Sequence, residues 1–287
     1  MLPARFEYHR PTSLEDALGL LGSLEDAKIL AGGQSLIPVM KLRFAAPANL
    51  VDLNRVPGLD GIQEGNGVLH IGALVRHNQL ASSEVIASRH ALLASTAPQI
   101  ADPLVRNLGT VGGSLAHADP AGDWGSAMIA AGASVVLRRA SGERDVPASE
   151  LFVDLFTTTM EPDEVLTEVR VPLSSGPSGG AYLKLERKVG DFATVGVAVQ
   201  VEMANGTIGR AGIGLTGVGS TNIHAADAEE SLAGAEPNEA AFAEAGRLAG
   251  AAANPVSDVR GSADYKRHVV EVYVRRGLAR AVEMTRG

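Results

Sequence analysis

Hydrophobic positions fall in short runs whose spacing changes along the chain. Behind an N-cap at Thr12 or Ser13, the run that begins Leu14-Glu15-Asp16-Ala17-Leu18 keeps helical spacing to about Leu21 and predicts an amphipathic helix. Residues 27–30 read as a short strand, 36–43 as a short helix with Pro38 in its first turn, and 49–53 as a second strand. Together they make a small β-α-β unit. After the turn signal Gly65-Asn66-Gly67, residues 68–73 read as a strand. A helix is expected over about 78–97, interrupted at Ser82-Ser83 and stopped by Pro98. Residues 127–131 then read as helix, and 134–139 and 164–171 as strands.

The stretch Pro172-Leu173-Ser174-Ser175-Gly176-Pro177-Ser178-Gly179-Gly180 is the richest in proline, glycine and serine, and marks a domain boundary. Beyond it come strand patterns at 181–187, 194–203 and 207–215, the last two joined by the hairpin signal Asn205-Gly206. Alanine-rich helical patterns follow at about 225–253 and 262–284. The expected class is α+β, ending in a small antiparallel sheet covered by helices. The expected division is 1–175, itself split at about 55, and 176–287.

At 287 residues the chain can bury more than one core. A formal net charge of -8, with no basic block interleaved with aromatics, argues against a nucleic-acid partner. There is no cysteine, so any thiolate zinc site or cysteine-bound iron–sulfur cluster must belong to another chain. Residues 1–10 carry no apolar leader and no apolar stretch reaches membrane-spanning length, so the expectation is a cytoplasmic protein.

The most informative chemistry lies in two glycine pairs, Ala31-Gly32-Gly33-Gln34-Ser35 and Thr110-Val111-Gly112-Gly113-Ser114. Such pairs permit positive φ and present bare backbone N–H groups beside hydroxyls, which suits a pyrophosphate, although tight turns use the same residues. The two read as halves of one anion cradle. Gly212-Ile213-Gly214-Leu215-Thr216-Gly217 fits the dinucleotide pattern G-x-G-x-x-G, but it lies within a strand pattern and opens no helix, so it reads as a glycine-laced strand. In His117-Ala118-Asp119-Pro120-Ala121-Gly122-Asp123-Trp124, Asp123 is either an N-cap of the helix starting near Trp124 or a side chain facing the same ligand as the glycines. Glu186-Arg187-Lys188-Val189-Gly190-Asp191-Phe192 is either a solvated charged loop or a carrier for Phe192 against a planar ring. His70, His77, His90, His224 and His268 have no consistent spacing and receive no catalytic role. No nucleophilic triad, metal motif or P-loop lysine emerges. A redox cofactor that carries the chemistry itself would account for that.

Residues 31–43 and 102–120, with Lys184 to Thr194 and the late Ala263-Asp264-Tyr265-Lys266, resemble the FAD-binding medium subunits of molybdenum hydroxylases, and among them the branch that oxidises carbon monoxide. The resemblance runs over essentially the whole chain. It implies an FAD domain of the vanillyl-alcohol-oxidase (PCMH) type in two subdomains, followed by a three-stranded antiparallel sheet with a helical bundle. It also implies that Ala31, Gly32, Gly33, Gln34, Ser35, Leu36, Ile37 and Pro38, with Thr110, Gly113 and Ser114, hold the pyrophosphate. Ala116, His117 and Asp123 would line the adenosine or ribityl part, Met160 and Lys184 would lie near the isoalloxazine, and Phe192 would cover one face of it. Gln34, Ser114 and Phe192 depart from the residues usual in the family at those places. The implied partners are a large subunit with the molybdenum cofactor and a small subunit with [2Fe–2S] clusters, in a dimer of heterotrimers that passes electrons through FAD to an external acceptor. A cofactor-free scaffold of the same fold and an independent flavin enzyme are the alternatives.

Overall fold

The N-terminal β-α-β reading holds and gains a strand. The computed structural model describes residues 1–286, and its first unit comprises β1 (Glu7–His9), α1 (Leu14–Ser23), β2 (Ala27–Leu30), α2 (Leu36–Lys41) and β3 (Asn49–Asp52). The three strands form a parallel sheet in the order β1-β3-β2. Ser13 is the N-cap of α1, its Oγ accepting from the Asp16 N–H at 3.1 Å. Ala17, Leu18 and Leu21 of that helix are buried with Val51 and Leu53. The sequence reading assigned no element to β1, and the reason is physical. Two of its three residues are exposed, so it offers no apolar alternation to find.

The second unit opens on the hairpin β4 (Ile62–Gly65) and β5 (Val68–Gly72). The helix expected over 78–97 is three short ones, α3 (His77–Ser82), α4 (Glu84–Arg89) and α5 (Ala91–Thr96). Capping divides them: Ser83 Oγ accepts from the Ile86 N–H at 3.3 Å, and His90 Nδ1 accepts from the Leu93 N–H at 3.5 Å. Then come α6 (Pro103–Leu108), α7 (Val111–His117), α8 (Asp123–Ala131), β6 (Ser134–Arg139), β7 (Gly142–Pro147), α9 (Ala148–Leu151), the small hairpin β8 (Phe152–Asp154) and β9 (Thr157–Thr158), and β10 (Val165–Pro172). The larger sheet of this unit is antiparallel in the order β4-β5-β10-β6-β7.

The third unit is the antiparallel sheet β11 (Ser178–Leu185), β12 (Val195–Ala204), β13 (Thr207–Thr216) and β14 (Ile223–His224), with α10 (Ala226–Leu232), α11 (Glu239–Ala252) and α12 (Ala263–Met284). The three expected strands are there, and the two-residue β14 adds a fourth. Asn205 and Gly206 turn β12 into β13 at φ 52° and 84°, the positive values that a tight hairpin requires. The helix expected over 225–253 is split, and Gly234 at φ 74° lies in the break.

Helix α12 covers one face of this sheet, while α5 and α8 of the second unit cover the other. All nine residues of α8 are buried. A Cβ on Gly212 would overlap the Ala130 carbonyl, and one on Gly214 the Ser126 carbonyl. The glycines of β13 therefore let a helix backbone lie directly on the strand, which is why a dinucleotide-like spacing occurs where no helix opens. Trp124, Met128, Leu92 and Leu93 share one core with Tyr182 and Ala198 from the third unit. Among the described residues, no helix is long and apolar enough to cross a membrane.

Candidate functional site

The two glycine segments lie side by side. A Cβ on Gly32 would overlap the Leu108 carbonyl and come within 2.7 Å of Gly109 Cα, and one on Gly113 would lie 3.5 Å from Ala31 Cβ. They are not equivalent halves. No protein group among the described residues accepts from the backbone N–H of Gly32, Gly33, Gln34 or Ser35. Gly33 has φ 70°, and Ser35, the N-cap of α2, makes no side-chain cap bond. Four successive open donors with a left-handed glycine among them form a nest for an anion. Gln34 folds its amide back to donate to the Gly32 carbonyl at 3.2 Å. Leu36 and Ile37 are half-buried in the first turn of α2, and Pro38 is exposed there.

The second segment is the first turn of α7. Its N–H groups are already used, Val111 donating to Val75 O, Gly112 to Ala73 O, Gly113 to Thr110 Oγ1 and Ser114 to Thr110 O. The expectation that it presents bare donors is corrected here: glycine serves close packing of this turn, Gly112 upon Ala73 and Gly113 under the capping Thr110 hydroxyl, with Ala31 in ordinary contact. What it offers outward is the half-buried Ser114. Ser114 Oγ lies 3.9 Å from where a Gly122 Cβ would stand, beside the turn Asp119-Pro120-Ala121-Gly122. That turn in turn lines a cleft of about 270 Å³ with Phe192, Thr194, Gly217, Asp258, Arg260 and Lys266.

Phe192 is 53 % exposed beside that cleft, and Arg260 donates to its carbonyl at 3.0 Å. Arg187 pairs with Asp191 at 3.2 Å in the same loop. On α7, Ala116 is exposed, and the His117 ring lies 5.2 Å from Phe156 at a tilt of 35°. Phe156, in the turn of the β8–β9 hairpin at φ 53°, had no signal in the sequence reading. Met160 follows the same hairpin and packs half-buried against the large core.

Asp123 and Lys184 are brought together, in the seam between the second and third units. Lys184 Nζ donates to Asp123 Oδ2 at 2.9 Å and to Gln99 O at 3.0 Å, with Glu186 Oε2 at 3.6 Å, and its side chain is 2 % exposed. Asp123 Oδ1 accepts from the Tyr182 hydroxyl at 2.7 Å. Asp123 does not act as the N-cap: α8 starts at Asp123 itself, behind Gly122. Burial pushes the Asp123 carboxyl above the usual carboxylate range, against the pull of Lys184 and of the Tyr182 hydroxyl. Burial also raises the Tyr182 phenol well above its ordinary value, with the Asp123 charge acting in the same direction.

His77, given no role by the sequence reading, supports the second segment. Its N–H donates to Gly109 O at 3.0 Å, and its Nδ1 accepts the Trp124 indole N–H at 3.0 Å. Burial, with Arg106 and Arg76 adding to it, holds this imidazole down at about 4. A pKa lower in the folded than in the unfolded chain adds stability that is complete above the ordinary 6.5 and is lost as pH falls towards about 4. That difference amounts to about 3 kcal/mol at most. His77→Gln keeps an acceptor for the indole but does not titrate, so thermal unfolding of this variant should fall less steeply between pH 6.5 and 4 than that of the parent. Equal slopes would remove His77 from the acid response.

Known proteins resemble this chain in sequence and fold. Residues 4–174 match the family model described as the FAD binding domain in molybdopterin dehydrogenase, and residues 180–281 match that of the CO dehydrogenase flavoprotein C-terminal domain. The carbon monoxide dehydrogenase medium chain of Hydrogenophaga pseudoflava is 44 % identical over 279 residues, 97 % of each chain. The 6-hydroxypseudooxynicotine dehydrogenase complex subunit alpha of Paenarthrobacter nicotinovorans is 40 % identical, covering 100 % of this chain and 97 % of that one. Among solved structures, carbon monoxide dehydrogenase from Hydrogenophaga pseudoflava superposes with TM-score 0.96 at 45 % identity over 99 % of both chains. Quinoline 2-oxidoreductase from Pseudomonas putida 86 superposes with TM-score 0.92 at 32 % identity, again over 99 % of both.

Proposed function

Because the chain belongs to the family of FAD-binding flavoprotein subunits of molybdenum hydroxylases, we propose that it carries FAD and relays electrons through it from partner subunits to an external acceptor. The observation that carries this reading is the row of open N–H groups from Gly32 to Ser35, seated against α7. The fit extends beyond the phosphates. Gly113 lies beside Ala31, Ser114 beside the Asp119–Gly122 turn, and Asp119 to Ala121 at the cleft beside Phe192, a succession of neighbours that supports a track for an extended dinucleotide.

Ala31, Gly32, Gly33, Gln34, Ser35 and the start of α2 through Pro38 hold the diphosphate, with Thr110, Gly113 and Ser114 closing its other side. Ala116 and His117 line the adenosine or ribityl portion, and Met160 and Phe192 border the ring. Asp123 and Lys184 act behind it by joining the units that flank the track. When bound, FAD supplies reversible electron uptake at its ring system. The chain's part is to neutralise the diphosphate by N–H dipoles, to orient the ring against Phe192 and to keep the seam closed.

The closest functional reading is the medium subunit of a carbon monoxide dehydrogenase, supported by relatives at 44 % and 41 % identity. A large subunit with a molybdenum cofactor and a small subunit with [2Fe–2S] clusters complete the complex, which we take to be a cytoplasmic dimer of heterotrimers. The division at 175/176 separates the FAD-binding portion from the C-terminal domain. Native purification through a tag on this chain tests the whole reading. A flavin band, iron–sulfur absorbance and two cysteine-bearing partners are expected, together with oxidation of carbon monoxide by the complex. A colourless lone chain that takes up no FAD would overturn it.

A further inference from the structure

One side-chain relay ties the two glycine segments together from outside the track. Asn54 Nδ2 donates to the Ala31 carbonyl at 2.9 Å and to Asp52 Oδ1 at 2.6 Å. Asn54 Oδ1 accepts from one nitrogen of the Arg76 guanidinium at 2.5 Å, and the other terminal nitrogen of Arg76 donates to the Leu108 carbonyl. Asp52, at the C-terminal end of β3 and buried, also accepts the hydroxyl of Tyr8 from β1. The two carbonyls so held are those of the residue before Gly32 and of the residue on which Gly32 rests. In a trans peptide the C=O and N–H point in opposite directions. Turning the Ala31 carbonyl towards Asn54 therefore turns the Gly32 N–H away from it, towards the open row formed with Gly33, Gln34 and Ser35.

We propose that Arg76, oriented by Asn54 and Asp52, is a positioning residue that fixes the gap between the two glycine segments and thereby sets the affinity for the diphosphate of FAD. The guanidinium suits this task because its two terminal nitrogens lie in one rigid plane and engage one acceptor from each side. The proposal rests on the FAD reading of the segments given above. Two of the five guanidinium N–H donors go to Asn54 Oδ1 and the Leu108 carbonyl, and these two bonds hold Arg76 at the gap as a brace.

The test uses the purified full chain stripped of flavin, with FAD and ADP as probes. Arg76→Met and Asn54→Ala should each weaken FAD binding roughly tenfold, the loss expected when a charge-assisted hydrogen bond goes. ADP, which has the diphosphate without the ring, should lose affinity by the same factor. The double variant should be no worse than either single one, because both act through one relay. Arg76→Lys, keeping one of the two bonds, should fall in between. Asn54 is exposed, so Asn54→Ala reads the relay even if Arg76→Met unfolds. Unchanged affinity in Asn54→Ala, losses that add in the double variant, or weakening confined to FAD would each overturn the relay while leaving FAD binding in place. A parent chain that takes up neither probe would overturn the relay and the FAD reading together.

Discussion

Gly32→Ala should cost this protein most of its flavin. One added methyl group there meets backbone on the facing segment, the Leu108 carbonyl and Gly109 Cα, and backbone yields less readily than the end of a side chain. Overpacking of this kind costs about 1–3 kcal/mol. If the segments part rather than the fold failing, the loss appears as FAD affinity weakened roughly 5- to 150-fold. At Gly113 the nearest atom is the Thr110 hydroxyl oxygen at 2.7 Å, so Gly113→Ala also takes away room, but against a rotatable group. The order of effect, Gly32 greater than Gly113, separates contact between the segments from simple loss of glycine flexibility. Flavin content after gel filtration, with circular dichroism to monitor the fold, checks it. Full flavin retention in Gly32→Ala would show that the contact does not govern the cradle.

The second large effect is expected at the seam. Lys184→Met leaves the Asp123 carboxylate buried beside Tyr182 without its cation, and breaking such a pair costs about 3–5 kcal/mol. For a chain of this size that is on the order of 6–20 °C in thermal midpoint. The pH dependence gives the sign. Asp123 is raised by burial even with Lys184 present, and removing the lysine raises it further. A carboxyl whose folded pKa lies above its unfolded one gives its full contribution below the unfolded value, and that contribution is lost as pH rises. The variant should therefore be weakest at neutral pH and recover part of its midpoint as pH falls towards about 4. A lysine that chiefly served the flavin ring would behave otherwise: the midpoint would hardly move and the flavin spectrum would.

What could be read from the sequence was what depends on local patterning. A cap of α1 at Thr12 or Ser13, of which the structure selects Ser13, the Asn205-Gly206 turn, the three long strands of the third unit and the rejection of Gly212 to Gly217 as a nucleotide loop all follow from spacing and turn chemistry. What escaped it depends on partners distant in sequence. Thr110 to Ser114 read as an anion-binding turn because glycine disfavours helix, yet the segment is helical, with Ala73 leaving no room for a side chain at Gly112 and the Thr110 hydroxyl crowding Gly113. Asp123 looked like a cap because Lys184, which claims it, lies sixty-one positions away. Asn54, Arg76 and His77 carry no motif. Their roles exist only once β3, α3 and the Leu108–Gly109 backbone have met.

Helix α8 belongs to the second unit by chain order and lies on the third by contact, and this bears on synthesis. When Ala131 leaves the ribosome, the strands that cover this helix have yet to be made. They are complete only at Thr216, and at about 5–20 residues per second the helix waits roughly 4 to 17 s for its cover. During that interval an apolar helix and its neighbours stand open to water, so the nascent first half is a natural client for chaperones. The two halves mature as one body, and slow translation between residues 131 and 216 would lengthen the period in which the chain is prone to aggregate.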